Sequence, residues 1–193
     1  MPENAEIVRK PLRARERPRR TLDQRIFLRF PSLAAASFRR ILKLPPSSRL
    51  RQATLSRAMQ LALEAYNRRD LDAVLIAAHP EFEYLPERNW VEAGLVESCY
   101  RGLEGYRKFI ATVDEVWGGE NYLTPLELID LGERFVILAN GRMRAQASGV
   151  RLTEEYAGVS TVKDGWVISV QEYYDHAEGL RAVGLSVEQV PSS

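Results

Sequence analysis

The chain has 193 residues, the size of one domain or of one domain with an extension. Hydrophobic residues make up 45% and charged residues 27%, and no run of about 18 apolar residues occurs, so we expect a globular protein without a transmembrane helix. The single cysteine, Cys99, excludes a disulfide within the chain. The net charge of +1 conceals a division, because residues 1–51 carry 14 Lys+Arg and 4 Asp+Glu whereas residues 52–193 carry 13 and 22.

The basic segment precedes the globular pattern. Like charges resist compaction, and Pro11 and Pro18 interrupt a helix. Residues 32–44 have apolar side chains at helical spacing, ended by Pro45 and Pro46. We therefore predict a largely flexible basic extension over residues 1–51 with one amphipathic helix. It could contact nucleic acid phosphates or an anionic membrane, but the favoured interpretation is a solvated extension whose removal leaves the domain folded.

Helices are predicted first in the domain, which we place at residues 52–193. Apolar residues at helical spacing predict a helix from residue 52 to about Asn67, and shorter patterns predict helices over residues 71–78 and 106–117. Gly118 and Gly119 would end the last of these. A short strand over residues 82–85 lies between them.

The apolar period then changes from 3.6 to 2. Alternation predicts strands over residues 123–130, 134–147, 150–162 and 166–174, with short glycine-containing connections, and a final helix over residues 177–182. The connections favour an antiparallel meander. Helices followed by such a sheet give an α+β fold with segregated layers.

Several short motifs occur in a recognisable order. They are Asn67-Arg-Arg-Asp70, His79-Pro80, Tyr100-Arg-Gly-Leu-Glu-Gly105, Lys163-Asp-Gly165 and Glu172-Tyr-Tyr-Asp175. Over residues 57–186 the chain resembles the SnoaL-like polyketide cyclase-type proteins of the NTF2-like superfamily. The resemblance implies a cone-shaped domain, with N-terminal helices packed on a curved antiparallel sheet. It makes residues 11–57 look like an insertion.

The resemblance also implies a conical cavity for an apolar small molecule, and it suggests a general base. In the cyclases, an acidic residue at the end of the last long strand removes a proton next to a carbonyl, and Asp175 occupies that place. The alternative is structural, since Asp175 and Glu178 have the spacing of a helix capping box. The two roles are compatible.

Six further residues are candidates for substrate binding, each with an alternative structural role. Tyrosines can pack a sheet, a rim tryptophan can be plain packing, and an arginine can pair across the sheet with Glu154, Glu155 or Glu172. The candidates are Tyr84, Trp90, Arg142, Tyr156, Gln171 and Tyr173.

We therefore predict a protein with a cavity for an apolar small molecule, acting as a cofactor-independent cyclase or isomerase through an Asp general base. The alternative is a non-enzymatic small-molecule-binding or dimerisation module. The histidines belong to no ligand-spaced cluster, so neither a metal nor a cofactor is expected. We expect a cytoplasmic homodimer that pairs through its sheet.

Overall fold

The computed structural model describes residues 6–15, 19–76, 78–144, 146 and 149–186. Within them the chain forms seven strands and seven helices. The strands are β1 (Val8–Pro11), β2 (Ala78–Leu85), β3 (Tyr100–Arg101), β4 (Asn121–Asp130), β5 (Arg134–Arg144), β6 (Arg151–Lys163) and β7 (Trp166–Tyr173). The helices are α1 (Leu22–Arg29), α2 (Pro31–Leu42), α3 (Arg49–Asn67), α4 (Leu71–Val74), α5 (Arg88–Glu92), α6 (Gly102–Trp117) and α7 (His176–Ala182).

All seven strands belong to one curved, open sheet in the order β1-β4-β5-β6-β7-β2-β3. Neighbouring strands are antiparallel except β2 and β7, which are parallel. The predicted meander is confirmed as β4 to β7, although β5 ends at Arg144, and residues 145, 147 and 148 of the predicted strand and turn lie outside the described residues. The α+β fold class is confirmed. Sheet curvature is promoted by a register shift in β4 beside Pro125.

The alternation of β5 directs its apolar side chains to two separate cores. Phe135 and Ile137 face the layer that contains α3 and α6. Val136 and Leu138 face the opposite way, where Leu180 and Val183 from the α7 region cover them. Both apolar faces of this strand are therefore covered within one chain at this position.

The N-terminal segment differs from the predicted flexible extension. Strand β1 pairs with β4, and α2 corresponds to the predicted amphipathic helix and buries Phe38 and Leu42. The basic segment lies against the acidic domain, and Arg57 of the domain pairs with Asp23 of the segment. Three arginines of the segment have carboxylate partners in the domain. These ion pairs are Arg9–Glu127, Arg20–Asp70 and Arg51–Asp130.

The last of these pairs anchors α2. Both carboxylate oxygens of Asp130 accept a hydrogen bond from the buried Arg51 guanidinium, each at 2.7 Å. The same guanidinium donates to the carbonyl oxygens of Leu42 and Leu44 at the end of α2, and of Gly132 beyond β4. One side chain thus connects the end of α2 to the end of a central strand. The domain boundary at residue 51/52 stays a prediction.

Candidate acid–base site in an apolar cavity

A cavity of about 120 Å³ lies between the inner face of the sheet and helices α3, α4 and α6. Its wall is mostly aliphatic and aromatic, with a few polar groups from the strands. The lining residues of the sheet include Phe82, Tyr84, Phe135, Ile137, Tyr156, Gly158, Ser160, Val167, Val170 and Glu172. The helices and their ends contribute Met59, Ala62, Leu63, Tyr66, Val74, Leu75 and Tyr106.

Glu172 is the one carboxylate that lines this cavity among the residues the structure describes. It faces inward from β7, opposite Gly158 on β6, and only 5% of it is exposed. Its Oε1 accepts a hydrogen bond from the Tyr84 hydroxyl. Its Oε2 is buried and has no hydrogen-bond partner within the described parts of the chain. One oxygen of the carboxylate is therefore held, and the other is available to a ligand.

Burial raises the pKa of the Glu172 carboxyl from 4.5 to about 7, because the ionised form loses its hydration. The hydrogen bond from the Tyr84 hydroxyl opposes this rise, as does the partial positive charge of the nearby Glu87 backbone N–H, while the negative charge of the Glu87 side chain adds to it. Near neutral pH both protonation states are populated. A carboxyl group in that range suits proton transfer in either direction.

Tyrosine hydroxyls surround the Glu172 carboxylate. Tyr84 donates a hydrogen bond to Glu172, and the Tyr156 phenol lies close enough to both groups for its pKa to depend on them. Burial raises the pKa of both phenols well above the usual value, and the charge of Glu172 raises it further. Both phenols therefore remain protonated hydrogen-bond donors.

The absence of a side chain at Gly158 makes room for this arrangement. A Cβ built at Gly158 would lie 3.0 Å from the Tyr156 hydroxyl oxygen, because the Tyr156 ring extends along its own strand over Gly158. A side chain there would force the Tyr156 ring to shift. The glycine thus leaves space for this ring beside Tyr84 and Glu172.

Two of the predicted binding residues, Tyr84 and Tyr156, line the cavity. Gln171 and Tyr173 share a strand face as expected, but it is the opposite face from Glu172. The Gln171 amide donates to the carbonyl oxygens of Leu85 and Pro86 at 3.1 and 3.2 Å, and Tyr173 packs against the core beneath α7. These two side chains hold neighbouring elements together and do not line the cavity.

Asp175 also lies outside the cavity lining, at the N-terminus of α7. It is exposed, and its carboxylate accepts a hydrogen bond from the backbone N–H of Glu178 at 2.8 Å. This is the capping contact that the spacing predicts. The geometry gives Asp175 no access to the Glu172 cavity.

The remaining two candidates are also elsewhere. Arg142 lies on the outer face of β5, between Tyr122 and Thr153 on the adjacent strands. In the same register Glu154 lies opposite Gly141 and Glu155 opposite Asn140, while Glu172 is buried on the other face of the sheet. Trp90 on α5 stacks on Trp117 at 6.3 Å and packs edge-on against Tyr174 at 5.3 Å, away from the cavity lining.

The sequence analysis missed Glu172 as a site residue, although it considered both neighbours of this residue. The available signal was the alternation of β7. Val170 lines the cavity and lies two residues before Glu172 on the same face, whereas Gln171 and Tyr173 lie on the other face. A prediction that placed the apolar positions inward would have selected the glutamate.

Within the residue ranges that the structure describes, no group of three or more His, Cys, Asp or Glu side chains could hold a metal ion. No helix in the described ranges is both long and apolar enough to cross a membrane.

The fold is similar to that of several solved structures. TerC, in a crystal structure with polyporic acid, is 25% identical at a TM-score of 0.55, covering 62% of this chain and 89% of its own. An NTF2-like protein of unknown function from Burkholderia pseudomallei K96243 is 28% identical at a TM-score of 0.55, covering 66% and 95%. A SnoaL-like polyketide cyclase from Jannaschia sp. CCS1 is 16% identical at 0.51, covering 70% and 92%.

Neither a protein-family model nor a curated protein matches the sequence. The structural comparisons nevertheless define the class: the chain has the NTF2-like fold, and its solved neighbours include NTF2-like and SnoaL-like proteins. The resemblance found in the sequence is confirmed at this level.

Proposed function

We propose that the protein binds a small apolar carbonyl compound in the Glu172 cavity and moves a proton on it without a cofactor, as an isomerase or cyclase does. The observation that carries the proposal is the buried Glu172 carboxylate, of which one oxygen is held by Tyr84 and the other has no partner in the described residues. The role of general base thus passes from Asp175 to Glu172.

Glu172 Oε2 takes a proton from the carbon next to the carbonyl. The electron pair of that C–H bond forms a C=C bond while the carbonyl π pair moves to oxygen, which gives an enolate. Where a neighbouring C=C bond makes this a dienolate, Glu172 returns the proton at the far carbon and the double bond has moved. The Tyr66 and Tyr106 phenols also line the cavity, and protonated phenols supply donors for an enolate oxygen.

The size of the cavity limits the reacting part of the substrate. A dry apolar cavity of roughly 150 Å³ accommodates benzene, so a volume of about 120 Å³ suits a group the size of one small ring. The similarity to TerC, crystallised with polyporic acid, also supports a ring-containing ligand. The apolar wall favours a neutral compound over an ion.

Hydrogen–deuterium exchange tests this proposal without knowledge of the natural substrate. Cyclohexanone in D₂O is incubated with the protein, and loss of its α-hydrogens is followed by NMR. We expect Glu172→Gln to slow the catalysed exchange by about 10²–10⁴-fold, the contribution of one general base. Because the carboxylate is the active form, the wild-type rate should rise with pH through about 7.

The matched control is Asp175→Asn, which removes a carboxylate from the position first predicted for the base. It should exchange cyclohexanone at the wild-type rate. Equal exchange by the wild type and Glu172→Gln would refute the proposal. Binding of cyclohexanone without catalysed exchange would instead favour the binding-module alternative, which is consistent with a cavity that contains a single carboxylate among the described residues.

A further inference from the structure

A second and larger apolar chamber, of about 430 Å³, lies beneath α1 and α2. Its walls come from these two helices and from α3 and α4. The apolar lining residues include Phe27, Ala34, Phe38, Met59, Ala73 and Val74. Well-packed interiors have few voids larger than a water molecule, so a chamber of this size is unusual and has room for a ligand.

Four polar side chains line the chamber, and two of them are engaged with protein partners. The buried Gln24 amide donates to the Leu61 carbonyl oxygen at 3.0 Å, and the Arg57 guanidinium pairs with Asp23 at 2.7 Å. Neither charge nor amide is therefore directed at an occupant. Apart from the Ser37 and Thr54 hydroxyls, the chamber offers a ligand apolar surface.

The chamber and the Glu172 cavity share a wall. Met59, Ala62 and Val74 line both volumes. Met59 and Ala62 are one turn apart on α3, so the partition there is a single layer of side chains. A methionine has three rotatable side-chain bonds and adapts to irregular spaces, and alanine offers only a methyl group. Rotation of Met59 is the smallest change that would connect the two volumes.

We infer that the two cavities form one binding site for an elongated apolar molecule: a carbonyl-bearing head beside Glu172 and a single alkyl or acyl chain in the chamber beneath α1 and α2. The placement of the head rests on the proposed function; the placement of the chain rests on the chamber alone. The cavity beside Glu172 is small for a ligand site, whereas the two volumes together fall within the roughly 300–1,000 Å³ of typical ligand pockets.

With the alkyl chain in this chamber, the N-terminal segment takes part in ligand binding. Helices α1 and α2 form one side of the chamber, and the solved neighbours with the same fold cover only 62–70% of this chain. A chain-binding chamber made in part by α1 and α2 would select longer substrates than the cavity beside Glu172 alone.

The test measures the binding of methyl ketones of increasing length to the full chain. Isothermal titration calorimetry with 2-pentanone, 2-heptanone and 2-nonanone should show affinity rising by about fourfold for each added methylene, the value for complete burial. In Ala34→Trp the new indole occupies the chamber from α2. This variant should bind 2-pentanone as the wild type does and lose the dependence on length.

The control is Leu33→Trp, on the adjacent residue of α2, whose side chain is 67% exposed. It introduces the same indole outside the chamber and should keep the full dependence on length. If Ala34→Trp does not fold, Ala73→Leu on α4 fills the chamber from the opposite wall with a smaller side chain. Thermal unfolding of each variant establishes that it is folded before binding is measured.

Two results would overturn the inference. One is a wild-type affinity that does not depend on chain length; the other is the same dependence in the chamber-filling variant as in Leu33→Trp. The second result would place the alkyl chain elsewhere. Failure of the proposed function is a separate outcome, since Glu172→Gln would then exchange cyclohexanone like the wild type while both proteins kept the chain-length dependence.

Discussion

Glu172 combines three features of an acid–base residue: burial, a hydrogen bond from a phenol, and one buried oxygen without a partner in the described chain. Each feature depends on a different element. Strand β7 turns the side chain inward, β2 supplies Tyr84, and β6 supplies the glycine that leaves space for Tyr156. The site therefore forms only when these three strands pair in the observed register, because none of them supplies all the features alone.

The raised pKa of Glu172 predicts a pH dependence of stability. The group has a pKa of about 7 when folded and an ordinary value of 4.5 when unfolded, so the folded state binds more protons between these values. Its contribution to the free energy of unfolding is complete below about pH 4.5 and is lost as the pH rises through about 7. Glu172→Gln removes this dependence and should gain stability relative to the wild type, by about 3 kcal/mol at pH 8.

Urea unfolding of both proteins from pH 4 to 8 measures that difference, and titrations common to both cancel. The matched control is Glu81→Gln, a substitution of an exposed glutamate on β2, which should run parallel to the wild type. A constant difference between wild type and Glu172→Gln across the range would show that the Glu172 carboxyl titrates normally.

For Asp175 we expect an effect on stability that differs from that of Glu172, because the Asp175 carboxylate caps helix α7. Asp175→Ala should lower the free energy of unfolding by about 0.5–2 kcal/mol, whereas Asp175→Asn should change it little, since Asn caps nearly as well as Asp. Thermal unfolding checks both values. A loss of ketone exchange in Asp175→Asn at unchanged stability would return the catalytic role to this residue.

For the helices and strands, the apolar periodicity predicted the main elements and their order correctly. It did not identify which face of β7 points into the cavity. Strands β4 to β7 have alternating apolar residues and are joined by short glycine-containing connections, and α3 and α6 have apolar residues at helical spacing. All of these elements were therefore predicted. The face of β7 was not, because Val170 and Glu172 alternate with Gln171 and Tyr173, and the polar and aromatic residues on both faces leave the inward face ambiguous. Helix α1 was missed because its arginines obscure a short apolar pattern.

The anchoring of α2 by Arg51 gives the prediction for this scale. Arg51→Ala leaves Asp130 buried without its partner and three backbone carbonyl groups without their donor. Removing one member of a buried pair costs about 3–5 kcal/mol. We expect a loss of that size in urea unfolding, together with faster hydrogen exchange of the α2 amides.

Arg88→Ala is the control for loss of an arginine, because Arg88 pairs with Glu92 in an exposed position. It should leave both unfolding and α2 exchange nearly unchanged. The double variant Arg51→Met with Asp130→Leu removes the uncompensated charge and should recover part of the stability. Slow exchange of α2 in Arg51→Ala would mean that α2 is held by its apolar contacts alone.

For the whole molecule, the division of charge between the two parts of the chain explains why the flexible extension was predicted. A basic segment taken alone has no reason to fold, but the acidic part of the same chain supplies carboxylates for it. The homodimer stays a prediction, which light scattering checks. It was expected because both faces of the predicted strand 134–147 are apolar, with Phe135, Ile137, Ala139 and Met143 on one side and Val136 and Leu138 on the other. In the structure the α7 region covers the second side, and Phe135 and Ala139 of the first side are buried in the other core.

Removal of the N-terminal segment is the decisive experiment at this scale. A chain that starts at residue 51 lacks Leu12, Phe38 and Leu42, which belong to the buried core, and it lacks β1 at the edge of the sheet. Each large apolar side chain contributes roughly 1.5–3 kcal/mol when buried, against a total stability of roughly 5–15 kcal/mol for a domain. We expect a much lower thermal midpoint and broad unfolding.

A chain that starts at Ile7, just before β1, serves as the control and should unfold as the full chain does. Sharp unfolding of the shorter chain at the original midpoint would instead establish the domain boundary that the sequence predicts, with residues 1–50 as a dispensable extension.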